Sequence, residues 1–149
     1  MATRRHQSRA YAIQFLYQQD AQGRLAEELP QALKLFWDMH PPKETDACRL
    51  FTEELVRGAV EKMETIDEKI KTYSQNWDFH RITVVDRNIL RLAIYELLFR
   101  TDIPPVVSIN EAIELAKQFS GEESSAFVNG ILDRVKLELS RPLRTAAAK

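Results

Sequence analysis

The chain has 149 residues, of which 44% are hydrophobic and 29% are charged, and its formal net charge at pH 7 is −1. This length and composition predict a single globular domain that buries about 68–70% of its unfolded surface. The balanced charge gives no overall preference for nucleic acid or membrane, so any such preference has to be local. No apolar run approaches the ~18 residues of a membrane span, and the N-terminus lacks a signal-peptide core, so we expect a cytoplasmic protein.

The sequence predicts an all-α fold, because it contains only four glycines and lacks alternating β-branched runs. A first helix is expected from about Arg5 to Gln22, ended by Gly23, and a second follows Pro30. The stripes that define these two helices are Ala10, Ile13 and Tyr17 in the first, and Leu29, Leu33, Phe36 and Trp37 in the second. Pro41 and Pro42 stop the second helix.

A long third helix is predicted from about Asp46 to Tyr73. The residues that keep its 3.6-residue period are Cys48, Phe51, Leu55, Ala59, Ile66, Ile70 and Tyr73. Near the C-terminus, Ser108 and Glu111 form a capping-box pattern that opens a fifth helix. Ser124 or Ser125 is expected to cap a sixth helix that runs to Pro142, and residues 141–149 are expected to fray.

The fourth predicted helix differs from the others, because the segment TVVDRNILRLAIYELLFR is apolar nearly all round. Its apolar residues are Ile89, Leu90, Leu92, Ala93, Ile94, Leu97, Leu98 and Phe99. A helix of this kind is buried on most sides, so we expect the other helices to surround it. Thr83 and Asp86 form a capping-box pattern at its start.

The motifs of common enzymes are absent from the sequence. It has no glycine-rich phosphate loop, no G-x-S-x-G and no H-E-x-x-H. His6, His40 and His80 do not follow a glutamate at the spacing of di-iron bundles, and Cys48 reads as a buried structural thiol. We therefore expect neither catalysis nor a metal or other cofactor.

Two local features leave alternatives open. Gly130 lies inside a predicted helix, where glycine costs roughly 1 kcal/mol relative to alanine. We interpret it as a packing residue that lets the central helix approach closely. Phe127, in the first turn of the same helix, is either a lid on the core or an exposed stacking platform.

The first nine residues contain three arginines, Arg4, Arg5 and Arg9, and no acid. Arg5 and Arg9 are four residues apart and share one helical face. Guanidinium groups bind phosphate and stack on bases, which favours RNA binding. A basic end that only improves solubility explains the same pattern.

The motifs DRNILRLAIYEL, a proline turn, INEAIELAKQF and FVNGILD occur in this order in the C-terminal half. Their order and spacing strongly resemble the NusB family of bacterial transcription antitermination factors. The N-terminal RRHQSRAYAIQFLYQ resembles the arginine-rich first helix of that family, although His6, Gln7 and Ser8 dilute the arginines. The resemblance covers nearly the whole chain, with residues 24–80 the least diagnostic.

This resemblance implies a single helical domain, residues 1–149, that begins with the basic segment 1–9. The fold it implies is a compact bundle of about six or seven helices in two sub-bundles around a buried central helix. It implies a non-enzymatic factor that binds single-stranded boxA RNA jointly with the ribosomal protein NusE. The assembly, with other Nus factors, modifies RNA polymerase, including on ribosomal RNA operons.

The resemblance also implies which residues act. The RNA-binding residues it places on this sequence are Arg4, Arg5, Arg9, Gln14, Tyr17, Glu123 and Phe127. NusE is expected near the start of the central helix, at Asp86, where helix capping explains the carboxylate equally well. Two other functions stay open from the sequence, a ribosome-maturation factor and a helical adaptor that binds only proteins.

Overall fold

The computed structural model describes residues 4–25, 27–41, 46–74 and 78–146. Within these ranges the chain is helical and contains no strand, which confirms the predicted all-α class. The α-helices are α1 (Arg4–Ala21), α2 (Leu29–Met39), α3 (Asp46–Glu61), α4 (Met63–Tyr73), α5 (Val84–Phe99), α6 (Pro105–Phe119) and α7 (Glu122–Lys136), with a short 3-10 helix at Phe79–Arg81. None of the described helices is long and apolar enough to cross a membrane.

Helix α5 is the centre of the fold, as its all-round apolar sequence predicts. It packs against α1 and α3 on one side and against α4, α6 and α7 on the other. Its buried residues are Asp86, Asn88, Ile89, Leu90, Arg91, Leu92, Ala93, Ile94, Glu96 and Leu97. Helices α1 and α3 pack on each other, as do α6 and α7, so two groups of helices share α5.

Helices α1 and α2 end where the sequence predicts. Gly23 adopts a φ of 70°, a left-handed conformation that glycine tolerates, and its N–H donates to the Asp20 carbonyl at 3.0 Å. Helix α2 covers α1 through edge-to-face aromatic contacts, among them Phe15 with Phe36 at 5.6 Å and Tyr11 with Trp37 at 5.4 Å between ring centroids. Helix α2 ends at Met39, two residues before Pro41.

The prediction of one continuous helix from residue 46 to 73 is wrong. The helix breaks at Lys62, whose φ of −101° and ψ of 14° leave the helical region. Helix α3 packs on α1 and α5, whereas α4 packs on α5 and α7. One straight helix does not face both sets of neighbours, so the chain changes direction at Lys62. Because a break of a single residue leaves the apolar period almost unchanged, the sequence pattern does not reveal the break.

The predicted starts of the last two helices are also wrong. Helix α6 begins at Pro105, so Ser108 lies inside it, and the Ser108 hydroxyl donates to Glu96 Oε1 at 2.7 Å. Helix α7 begins at Glu122, after Gly121 with a φ of 134°. The Ser124 hydroxyl donates to Asp86 Oδ2, and the Ser125 hydroxyl donates to the Glu122 carbonyl within the first turn of α7. The N-cap residues, Pro104 and Gly121, provide no side-chain hydrogen bond.

The last helix is shorter than predicted, because it ends at Lys136 and not at Pro142, and the segment after it is hydrogen-bonded to the rest of the fold. Helix α7 ends at Lys136, yet Arg141 donates to the carbonyls of Leu97 at 2.9 Å and Ile103 at 2.8 Å. The Val106 N–H donates to the Leu143 carbonyl at 2.9 Å. The bond to Leu97 satisfies a carbonyl at the end of α5, and the bond from Val106 satisfies an N–H in the first turn of α6, groups that lack helical partners. The fraying of residues 141–149 stays a prediction, and residues 147–149 lie outside the described ranges.

The glycine that permits a close helix contact is Gly58, not Gly130. Gly130 is exposed, and a Cβ added to it would meet nothing within 4 Å, so our interpretation of Gly130 as a packing residue is wrong. A Cβ on Gly58 in α3 would lie 2.0 Å from Cζ and Oη of Tyr95 in α5. The Tyr95 ring therefore rests directly on the backbone of α3.

Alanine substitutions at these two glycines should change stability in opposite directions. Gly130→Ala should stabilise the fold by about 1 kcal/mol, because it only improves helix propensity. Gly58→Ala should destabilise it, because displacing Tyr95 costs about 1–3 kcal/mol and exceeds the same propensity gain. Chemical unfolding measures both changes.

The control is the Gly58→Ala change in a Tyr95→Ala background. Without the ring the added methyl has space, so the substitution should become stabilising there. A Gly58→Ala variant that is more stable than the parent chain, with Tyr95 intact, would contradict the assigned contact.

Candidate nucleic-acid interface

Arg4 and Arg5 lie at the exposed start of α1. Neither forms an ion pair with an acid in the part of the chain that the structure describes, and the Arg5 Cζ lies 4.4 Å from the centroid of the Phe51 ring. Together with the start of α3 they line an open cavity of about 370 Å³, which we call the arginine cleft. Its lining residues are Arg4, Arg5, Ser8, Ala47, Cys48, Leu50, Phe51 and Glu54. Two arginines without acidic partners make this cleft a candidate phosphate contact.

Arg9, expected on the same surface, lies in the interior instead. It is 2% exposed, and its guanidinium forms a two-point ion pair with Glu96, with N–O distances of 2.8 and 2.9 Å. Glu96 lies in the last turn of α5 and is 1% exposed, and a buried carboxylate requires a compensating charge. The expectation that Arg9 presents its charge to RNA therefore disagrees with its position, since Glu96 engages that charge inside the fold.

His6, to which the sequence analysis gave no role, joins α1 to α6. Its Nδ1 lies 2.5 Å from Glu111 Oε2, and its Nε2 lies 3.4 Å from Gln118 Oε1. Glu111 also accepts from Arg9 at 3.4 Å. The start of α1 is thus fixed to both α5 and α6 by side-chain contacts.

Gln14 and Tyr17 lie further along α1, in a groove of about 310 Å³ that we call the α1 groove. The other residues that line it are Ile13, Gln18, His40, Val85 and Phe119. The Tyr17 side chain is partly accessible, with 42% of its residue surface exposed. An accessible aromatic ring beside an amide and an apolar wall is suited to base stacking.

The first turn of α7 supplies the other two expected RNA contacts. Glu123 is exposed, whereas Phe127 is partly buried and packs against the hydrophobic core. The two interpretations of Phe127 are thus not exclusive, because a partly buried ring both covers the core and leaves an accessible edge.

Asp86 joins this turn to the start of α5. The Thr83 hydroxyl accepts from the Asp86 N–H at 3.2 Å, as the capping pattern predicts, and the Ser124 hydroxyl donates to Asp86 Oδ2 at 3.1 Å. Asp86 is only 6% exposed, and its buried Oδ1 has no hydrogen-bond partner among the residues that the structure describes. Burial raises the pKa of Asp86 above its usual value, against the opposing effect of the Ser124 and Thr83 hydrogen bonds. The predicted contact of Asp86 with a partner protein therefore involves a carboxylate that is almost fully buried.

The expected site residues therefore fall on two surfaces and in the interior between them. Arg4 and Arg5 belong to the arginine cleft beside α3, and Gln14 and Tyr17 belong to the α1 groove beside α5 and α6. Val85 in that groove precedes Asp86, whose bond to Ser124 brings the first turn of α7 alongside. Phe119 and Phe51 line these surfaces without having been predicted as site residues, because their helical period marks them only as core residues.

Comparison with known proteins agrees with this architecture. The model of the NusB family matches residues 6–136. The transcription antitermination protein NusB of Anaeromyxobacter dehalogenans is 48% identical over 135 residues, covering 91% of this chain and 92% of that protein. The protein of the same name from Thermodesulfovibrio yellowstonii is 38% identical over 140 residues, covering 91% of this chain and 93% of the other.

Solved structures give the same result. The T. maritima NusB structure superposes with a TM-score of 0.79 at 40% identity, covering 95% of this chain and 96% of the other. A chain in a crystal structure of antitermination factors NusB and NusE in complex with double-stranded RNA has a TM-score of 0.80 at 28% identity, covering 93% of this chain and 100% of that one. On the family match, the identities and the shared all-helical fold, this chain belongs to the NusB family.

Proposed function

We propose that this protein is a non-enzymatic transcription antitermination factor that binds boxA RNA jointly with NusE. The observation that supports this most strongly is the structural similarity, over 93% of the chain, to a structure of NusB and NusE with RNA. In this proposal the assembly acts in the cytoplasm with other Nus factors on RNA polymerase, including during transcription of ribosomal RNA operons.

In this proposal the two surfaces bind different parts of the RNA, the arginine cleft its phosphates and the α1 groove a base. Arg4 and Arg5 bind phosphates at the arginine cleft, because they are exposed cations without acidic partners in the described residues. Tyr17 stacks on a base, and Gln14 offers a side-chain amide as donor and acceptor. Arg9 takes no direct part in this proposal, because its guanidinium is engaged by Glu96.

The first turn of α7 completes the RNA surface. Phe127 presents the accessible part of its ring, and the exposed carboxylate of Glu123 accepts hydrogen bonds from base amino groups. We propose that Asp86 contributes to NusE binding by holding this turn through Ser124, since its own carboxylate is almost fully buried.

The proposal is tested by the affinity of the purified protein for boxA RNA and for a scrambled RNA of equal length, each with and without NusE. We expect tighter binding to boxA than to the scrambled RNA, and a larger difference when NusE is present. Binding to NusE without any preference for boxA would support the protein-adaptor function instead.

Replacing both Arg4 and Arg5 by alanine should weaken binding to every RNA sequence alike. Each phosphate contact on a single strand contributes about 0.7 to the slope of log affinity against log salt, so the slope should fall by roughly 1.4. Fluorescence anisotropy over a range of salt concentrations measures it. The matched control replaces Arg57 and Arg144, two exposed arginines outside both surfaces, and should leave the slope unchanged. An unchanged slope in the Arg4 and Arg5 variant would remove these residues from the RNA site.

Arg9→Ala should behave differently from the surface variants. It leaves the Glu96 carboxylate buried without its cation, a change that costs about 3–5 kcal/mol of folding stability. Thermal unfolding should show this loss, whereas the salt slope of RNA binding by the folded fraction should stay as in the parent chain. A lower slope with unchanged stability would place Arg9 on the RNA.

Tyr17→Ala and Phe127→Ala should separate stacking from packing. Stacking of a base on an aromatic ring is worth roughly 1–3 kcal/mol, so either variant should lose about tenfold or more in boxA affinity. Tyr17→Ala should barely change the melting temperature because the ring is exposed, whereas Phe127→Ala should lower it because part of the ring is buried. Unchanged boxA affinity of folded Phe127→Ala would assign Phe127 to the core alone.

Asp86→Asn should stabilise the protein at neutral pH, because burial penalises the ionised carboxylate and raises its pKa. In the parent chain, the raised pKa of Asp86 makes a favourable contribution to folding stability at low pH. This contribution is complete below the pKa of the unfolded state, about 3.9, and is lost as the pH rises through the pKa of the folded state. The gain from asparagine should therefore be present at pH 7 and disappear near pH 3. Chemical unfolding at the two pH values measures it.

NusE binding by the Asp86 variants tests the proposed positioning. Asparagine still accepts the Ser124 hydroxyl, so Asp86→Asn should keep the parent affinity for NusE, whereas Asp86→Ala should weaken it. Loss of NusE affinity in Asp86→Asn would instead indicate a direct contact between the carboxylate and a cation of the partner.

A further inference from the structure

The Phe51 side chain lies among three guanidinium groups. The distances from its ring centroid are 4.4 Å to Arg5 Cζ, 5.4 Å to Arg100 Cζ and 5.6 Å to Arg9 Cζ. Phe51 is only 7% exposed. The attraction between a cation and an aromatic face is stronger where water is excluded, so this ring is well placed to hold a guanidinium.

Two of these three arginines are held by carboxylates. Arg9 pairs with Glu96, and Arg100 forms a two-point pair with Asp102, both N–O distances being 2.9 Å, and a further contact with Glu54 at 3.2 Å. Arg5 differs from both, because within the described residues its guanidinium lies on the Phe51 ring and forms no ion pair. The ring therefore orients Arg5 without using any of its hydrogen-bond donors.

The backbone beneath this contact is fixed independently of Arg5. The Thr52 hydroxyl donates to the Ser8 carbonyl at 2.9 Å, and Ser8 Oγ lies 3.0 Å from the Cys48 carbonyl oxygen. All three residues are buried where α1 crosses α3. The contacts between α1 and α3 thus set the position of the Phe51 ring relative to α1. The Arg5 side chain packs on a ring whose position does not depend on it.

We propose that Phe51 is a positioning residue for RNA binding, which holds the Arg5 guanidinium over its ring with the donors free for a phosphate. This inference rests on the proposed function, because it assumes that Arg5 contacts RNA. Its physical basis is that a long side chain ordered before binding loses less conformational freedom when the phosphate arrives.

The first test uses the unmodified protein without RNA. Nuclear spin relaxation of the arginine Nε–H groups should show a restricted Arg5 and a mobile Arg4, since within the described part of the chain a ring lies beneath Arg5 and none beneath Arg4. Equal mobility of the two side chains would overturn the inference. This measurement does not depend on how well any variant folds.

The second test is a double-mutant cycle read as boxA RNA affinity. Phe51→Leu should weaken boxA binding by roughly three- to tenfold, the effect expected from losing the pre-ordering of one long side chain. Phe51→Tyr should bind boxA RNA as the parent chain does, because the aromatic ring is kept. In an Arg5→Ala background, Phe51→Leu should cause no further loss. An equal loss with and without Arg5 would show that Phe51 only supports the fold, and would overturn the inference.

The matched control is Phe99→Leu, which removes another ring beside a cation, with Lys62 Nζ 5.3 Å from the ring centroid. Phe99 lies outside both surfaces, so boxA affinity should not change. If Arg5→Ala itself leaves boxA affinity unchanged, Arg5 does not contact the RNA, so Phe51 cannot act through it and the inference fails. Failure of the proposed function is distinct from this, because it would appear as no preference of the parent protein for boxA over scrambled RNA.

Discussion

The ion pair between Arg9 and Glu96 is the contact on which the arrangement of the helices depends. Glu96 lies in the most buried helix of the fold, where an isolated carboxylate is strongly unfavourable. Arg9 supplies the cation from α1, and Ser108 supplies a further donor from α6. Three helices are thereby joined at one point, and displacement of any of them leaves a buried charge incompletely compensated.

A second polar network holds the other end of α1. Asp20 Oδ2 accepts from Arg87, Asn88 and Arg91 of α5, and Arg91 also pairs with Asp67 of α4 at 2.8 and 2.9 Å. With Arg9 near its start and Asp20 near its end, α1 is fixed to α5 at two points eleven residues apart. The α1 groove and the arginine cleft therefore keep a constant relation to each other.

The sequence predicts those features that depend on one helix alone. The all-round apolar pattern identifies α5, Thr83 identifies its start, and Gly23 identifies the end of α1. The break at Lys62 escapes prediction because it depends on which neighbours α3 and α4 contact. Arg5 and Arg9 show most clearly that neighbouring helices decide the outcome. Their spacing places them on one face of α1, yet of the two it is Arg9 that faces a buried carboxylate. Local spacing specifies a face, whereas the neighbouring helix decides whether that face is solvent or core.

The positions of the two surfaces restrict the kind of ligand that reaches both. Arg5 lies against α3 and Tyr17 lies in the groove beside α5 and α6, so the surfaces are on different sides of α1. Along the helix, twelve residues at about 1.5 Å each separate the two side chains by about 18 Å. A small molecule does not span this distance, whereas a flexible strand with a repeating phosphate and a repeating base reaches a cation at one end and an aromatic ring at the other. Cations combined with accessible aromatic rings are the means by which proteins bind single-stranded nucleic acid, and the anchoring of α1 to α5 through Arg9 and Asp20 fixes the distance between its two surfaces.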